Sequence, residues 1–322
     1  MKRPLRNVHL LLATLLVAAA QMDDGFSFAA EPTQKVRFVH ASRSNSNAPK
    51  LIAQSKGFFR AEGLEAEMIQ MNPRLAATAV VSGEAAFSDA FTSVFRGILQ
   101  GLPIKLVFVH QKKGPYFLIA RPEIKDIQQL KGKKLGVATL RGSDHLVAEE
   151  LLQAKGFSPS LLQVLAIGDA ATRFQSLSSG AVDVIAVGTP HDLMLRQKGF
   201  STLAGPPEVG LPGACVFTAE RYLRDNPLTV KKVLKALLRA QQFILENRQE
   251  TIQALLQWLP QSAEVAAHSY DYELKGLSRD GLMSDAELEA VMVKLGDKKR
   301  SIDEVRDFSL ARQAMKELES GR

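Results

Sequence analysis

The sequence predicts an α/β chain folded as two similar lobes, each a parallel-rich sheet flanked by helices, with a cleft between them and a helical tail on lobe one. Three observations predict it. The chain repeats itself once, at a spacing of 97 to 99 residues: Val39 recurs as Val137, Arg43 as Arg141, Lys56-Gly57-Phe58 as Lys155-Gly156-Phe157, and Gly83 as Gly180. A single duplication of that length is domain-sized, unlike the short periods of solenoids. Each copy reads strand, polar loop, helix ending in Gly, strand, helix ending in Ser-Gly, strand, which is the order of a parallel sheet. Beyond Cys215 the pattern turns helical throughout, so the tail must bury its apolar face on one of the units.

The elements follow in order. Lys2, Arg3 and Arg6 precede an apolar run from Val8 to Ala20 that is too short to span a bilayer, so residues 1–30 read as a signal peptide. Small-residue cleavage signals stand at Ala18-Ala19-Ala20 and Ser27-Phe28-Ala29; the second is favoured, because the first strand begins near Val36. Leu51, Ile52, Ser55, Phe58 and Phe59 give a helical period from Asn47 to Ala61, with Gly63 as a cap. A strand follows from Leu64 to Ile69, then a helix opened by Pro73 and ended by Gly83. Ala86-Phe87-Ser88 is a short buried strand; Ile104–His110 and Tyr116–Ala120 are β-rich around a Lys-Lys-Gly-Pro turn.

In the second copy, strands are expected at Lys134–Ala138, Val164–Ile167, Val182–Val187 and Ser201–Ala204, with helices beginning near Gly142, Asp169 and Pro190. Pro227 starts a long amphipathic helix to about Asn247. Helices around Thr251–Leu259, Ala263–Tyr272, Ser284–Leu295 and Ile302–Leu318 complete the tail. The extended segments Tyr116–Arg121 and Pro212–Phe217 would join the lobes as a hinge. Lobe one is then residues 31–120 plus 215–322, and lobe two residues 121–214.

Composition excludes several classes. The net charge of +7 comes from scattered basic residues without aromatic interleaving, which does not suit nucleic acid. No apolar stretch after residue 30 reaches membrane-spanning length. Cys215 is the only cysteine, so no internal disulfide forms, and Ala214-Cys215-Val216-Phe217 reads as a buried strand. Six dispersed histidines form no ligand cluster, and no phosphate loop, dinucleotide fingerprint or nucleophile elbow is present. No catalytic residues, cofactor or metal are expected, and binding is favoured over chemistry.

Ligands of open parallel sheets sit outside the carboxyl ends of the strands. Four polar loops occupy such positions: Ser42, Arg43, Ser44 and Asn45; Asp89, Phe91 and Thr92; Arg141, Gly142 and Ser143; Thr189 and His191. Three lead into helix starts, whose free N–H groups and dipole favour anions. Arg43 and Arg141 hold the same place in the two copies, so they are expected to face each other and bridge an anion. Plainer roles compete. Ser143 or Asp144 suits a helix cap, and loop arginines are often solvated. His40, His145 and His191 suit structure; Phe91, Tyr116 and Trp258 suit core packing. The rival ligand is a neutral heterocycle held by Phe91, His191 and the hydroxyls of Ser42, Ser143 and Thr189.

With these landmarks placed, the chain resembles the periplasmic solute-binding proteins of ABC transporters, type II fold, in the nitrate/sulfonate/taurine and thiamine-precursor branch. Gly57-Phe58-Phe59-Arg60-Ala61-Glu62-Gly63-Leu64, Ser82-Gly83-Glu84 and the run from Ile124 to Val137 carry the resemblance. Gly142-Ser143, Asn226-Pro227 and Asp307-Phe308-Ser309-Leu310-Ala311 add to it. The chain departs from the branch at Ala86, where Asp is usual. It departs again at Val187-Gly188-Thr189-Pro190-His191, where sulfonate binders carry an aromatic-rich loop. The resemblance implies a monomeric periplasmic protein that captures a small organic anion and delivers it to an inner-membrane permease. It implies two alternatives as well: a binder of thiamine-precursor heterocycles, or an enzyme on the same fold, as in pyrimidine-precursor synthases. A sensory module is a third reading.

Overall fold

A computed structural model describes residues 33–206, 211–296 and 300–321; the expected signal peptide lies outside the described residues. In the first half, alternation of buried residues builds β1 (Gln34–His40), which turns Val36 and Phe38 to one face and Val39 to the other. Then come β2 (Leu64–Gln70), β3 (Phe87–Ser88) and β4 (Ile104–Gln111). The second half contributes β5 (Phe117–Ala120), β6 (Lys134–Val137), β7 (Gln163–Ala166), β8 (Val184–Val187) and β9 (Ser201–Ala204), and the chain returns through β10 (Ala214–Ala219).

These strands form two five-stranded sheets of the same design, β2-β1-β3-β10-β4 and β7-β6-β8-β5-β9. In each, the first three strands of a copy run parallel and one antiparallel strand is borrowed from the crossing between halves. The two sheets are the cores of two lobes of one design. Both faces of both sheets are covered, which is why the strands read as near-continuous apolar runs.

The repeated glycines do the same work twice. Gly57 and Gly156 sit at φ of 74° and 70°, Gly83 and Gly180 at 81° and 78°, where a side chain costs energy. Gly57 is why the expected helix from Asn47 to Ala61 is two pieces, Ala48–Ser55 and Phe58–Ala61. Asn72 caps the helix Pro73–Ser82 by accepting a hydrogen bond from the Arg74 N–H at 3.0 Å.

The tail packs mainly on the first sheet. The 20-residue helix Pro227–Glu246 buries Val230, Val233, Leu234 and Leu237 with Phe38 and Ile52. The last expected helix, Ile302–Leu318, is interrupted: Arg306 bridges to Leu106 beside β4, and the Asp307 N–H donates to the Leu106 carbonyl. Pairing with that sheet edge outweighs local helix propensity. The crossings also differ in extent from expectation. Phe117–Ala120 belongs to the second sheet, so the chain changes sheets between Gln111 and Phe117, and again between Ala204 and Ala214.

Candidate functional site

Loops from the carboxyl ends of β1, β3, β6 and β8 meet between the two sheets. They enclose an outer cavity of about 870 Å³ and an adjoining inner one of about 130 Å³. Ser42, Phe91, Tyr116, Ser143 and Arg173 line both. Thr92, Arg141 and Gly142 line the outer part; Ser44, Asp89, Thr189 and His191 line the inner part.

Two expected residues are elsewhere. Arg43 turns away, donating to the Trp258 carbonyl at 2.7 Å with its guanidinium 4.3 Å from the indole centre. The tail helix Arg248–Trp258 offers lobe one this cation–π partner and offers lobe two nothing comparable, which is why Arg43 and Arg141 part company. They do not face each other. Asn45 is fully buried, its side-chain amide exchanging two hydrogen bonds of 3.2 Å with that of Gln261.

The arginines that flank the outer cavity at repeat-related positions are Arg74 and Arg173, 99 residues apart. That offset is the one shared by Lys56 and Lys155, so it was readable in the sequence. Arg173 is 5% exposed; its Nε donates to the Ala186 carbonyl at 3.1 Å and its Nη1 to the Gly168 carbonyl at 2.7 Å, with Asp144 at 3.4 Å. Among the described residues its Nη2 makes no hydrogen bond. Sequence reasoning also missed Arg96 in the outer wall and Glu273 in the inner one; the latter comes from the tail, so no strand-end rule could find it. Tyr116 proves to be a cleft wall.

The halves touch across the cleft. The hydroxyls of Thr92 and Ser143 share a hydrogen bond, Arg96 donates to the Arg141 carbonyl, and Lys294 pairs with Glu150. Gln70 donates to Asp169, its partner at an offset of 99, at 2.9 Å. At the crossings the Gly114 N–H donates to the Leu211 carbonyl, 97 residues on, at 2.8 Å. Residues related by a two-fold operation touch each other only near its axis, so these contacts mark a pseudo-two-fold through the cleft. The two halves are thus in direct contact across the cleft.

Charge divides the cleft. In the inner part Asp89 pairs with Lys50, which is only 3% exposed, and Arg173, which lines both parts, pairs with Asp144 of the outer one. Burial, then Arg173, brings His191 down to about 4, so it is neutral at ordinary pH. Burial raises Glu273 to about 7, against the hydrogen bond from Thr189. The outer part holds Arg74, Arg96 and Arg141. Burial would raise Asp169 there, but hydrogen bonds from Thr172 and Gln70 hold it below its usual range. Arg141 has a left-handed backbone, φ 61°, fixed by its N–H donating to His145 Nδ1 at 2.7 Å and by the bond from Arg96. Among the described residues no three His, Cys, Asp or Glu side chains cluster to hold a metal.

The NMT1/THI5 like family model matches residues 44–251. A riboflavin-binding protein, RibY of Chloroflexus aurantiacus, is 27% identical over 228 residues, covering 67% of this chain and 63% of that protein. The chain thus spans under two thirds of that relative's length. The 4-amino-5-hydroxymethyl-2-methylpyrimidine phosphate synthase THI5 of Saccharomyces cerevisiae is 22% identical, covering 71% of this chain and 72% of its own. The ligand-binding component of an ABC-type import system from Staphylococcus aureus superposes with a TM-score of 0.72 at 13% identity, covering 88% and 99%.

Proposed function

Since the chain belongs to the NMT1/THI5 like family, we propose that it is the solute-binding component of an ABC importer, acting in the periplasm and handing its cargo to an inner-membrane permease. The observation that carries this reading is the shared cleft: strand-end loops of both lobes line one cavity, and side chains of each lobe meet across it. Such a site gains its contacts from both lobes only when shut, so a solute that fills it favours the closed state.

The cargo is a small organic solute with a flat portion and an anionic group. The flat portion suits the inner cavity, where Phe91 and Tyr116 stand beside paired or neutral polar groups. The anionic group suits Arg74, Arg96, Arg141 and the unpartnered Nη2 of Arg173. This keeps an anion between the lobes and replaces the expected Arg43. The import component from S. aureus and the riboflavin-binding relative support binding of cargo.

The fungal synthase favours a second reading, an enzyme on this fold. Native mass spectrometry on protein isolated without refolding tests both. A bound, unaltered small anion is expected. A protein that carries no solute and takes up none from a cell extract overturns the binding reading, and a retained solute that is chemically converted on standing favours the enzyme.

A further inference from the structure

We infer that Glu273 is a proton-dependent latch that holds lobe two against the tail side of lobe one. Its use in capture and release rests on the solute-binding reading; the latch itself does not. Glu273 follows the tail helix Ala263–Tyr272 and is 3% exposed. It accepts a hydrogen bond from the Thr189 hydroxyl, at the end of β8 in lobe two, and the side chain of Gln111, the last residue of β4, lies beside it. One carboxyl therefore ties the tail to a strand-end loop of the second sheet, beside the rim of the first.

The groups around it decide how it behaves. From the helix His191–Gln197 of lobe two comes Asp192, fully buried, whose Oδ1 has no partner and whose Oδ2 is taken by Arg196. From the tail helix, His268 lies 3.9 Å from Asp192 and stacks on Tyr272, whose ring packs against Phe117. From the cleft side, Tyr116, His191, Asp89 and Arg173 share the inner cavity with Glu273. Asp89 and Arg173 are already paired, with Lys50 and Asp144, and Arg196 with Asp192. The strongest charge acting on Glu273 is the like charge of Asp192.

An ionised carboxylate in that seam is desolvated and repelled, so Glu273 keeps its proton to about pH 7. Protonated, it still accepts from Thr189 without carrying charge. Ionised, it is better served by water, which it reaches when lobe two swings away and takes Thr189 and Asp192 with it. Closing thus takes up a proton. The sign for stability is the reverse of an ordinary carboxylate. The folded state binds a proton that the unfolded chain has released, so this contribution is fully present below about pH 4.5 and is lost as pH rises through about 7.

X-ray scattering on the solute-free protein, at about pH 5.5 and about pH 8.5, tests the latch. The wild type is expected to expand at the higher pH. Glu273→Gln, which still accepts from Thr189 and cannot ionise, is expected to stay compact at both. Thr189→Val, which leaves Glu273 in place and removes the hydroxyl across the seam, is expected to be more open already at about pH 5.5. A wild type that does not expand, or a Glu273→Gln protein that expands equally, overturns the proposal. Melting curves separate a latch from a merely buried acid. If Glu273→Gln abolishes the fall in Tm between about pH 5 and 7.5 yet still expands with pH, Glu273 is a buried acid and the latch is wrong. A protein that shows the pH-dependent opening but never carries a solute would instead overturn the function proposed above.

Discussion

Arginine 43 and arginine 141 look interchangeable in the sequence and are not. Arg43 spends its guanidinium on Trp258, a contact that spans 215 residues of chain and is invisible to any local rule. Arg43→Ala is therefore expected to leave solute affinity within about twofold, while Arg173→Lys, which loses the planar fork, weakens it by about ten- to a hundredfold. Calorimetry with the solute released from the purified protein checks both; equal losses would put Arg43 back in the site. The four loops themselves were legible because the strand-end rule depends on topology alone. The direction of each side chain was not, because it depends on which neighbours the tail supplies. Arg141→Gly makes a sharper test of this residue. A left-handed backbone at a non-glycine costs about 1 kcal/mol, so chemical denaturation should find the variant no less stable than wild type, although binding falls. His191 stays neutral down to about 4, so its titration should contribute nothing to the pH dependence of binding above about pH 5.

The glycine pairs show at the level of elements how much a weak repeat can specify. Gly57 and Gly156 occupy matching left-handed positions with nothing within 4 Å of a built Cβ, so no clash confuses the cost of a side chain there. Gly57→Ala and Gly156→Ala are each expected to lower stability by about 1 kcal/mol, and by similar amounts. Urea melts measure it, and a difference between the two above about 1 kcal/mol would mean that the copies are not equivalent there. Strands and their order were readable because apolar runs bounded by Gly and polar loops leave few alternatives. Two helices were misread in the same way. The period continued through Lys56-Gly57, but a left-handed glycine ended the turn. It continued again through Arg306–Phe308, but the edge of β4 claimed that backbone for a bridge.

At the scale of the molecule, duplication explains both the cleft and its asymmetry. The pseudo-two-fold brings Gln70 to Asp169 and sets Arg74 and Arg173 around one opening, while the unduplicated tail adds Trp258 on one side and Glu273 on the other. The inner cavity is therefore not symmetric, and a symmetric ion would leave part of it unused. Its two-sided lining also predicts that solute should raise Tm in proportion to the logarithm of its concentration above Kd. Thr92→Val together with Ser143→Ala should weaken that rise by removing one cross-cleft bond. An unchanged rise would mean that the Thr92–Ser143 bond forms equally without solute.

The strand exchange at the crossings also imposes an order in time. β5 through β9 form the second sheet from one continuous stretch of chain, whereas the first sheet must wait for β10, more than 100 residues after β4. A chain that emerges amino end first would complete its second lobe while the first still holds β3 and β4 with a gap between them. Those bare edges are where a half-made molecule is open to proteases and to pairing with its neighbours. The lobe that is synthesised first is the one that matures last.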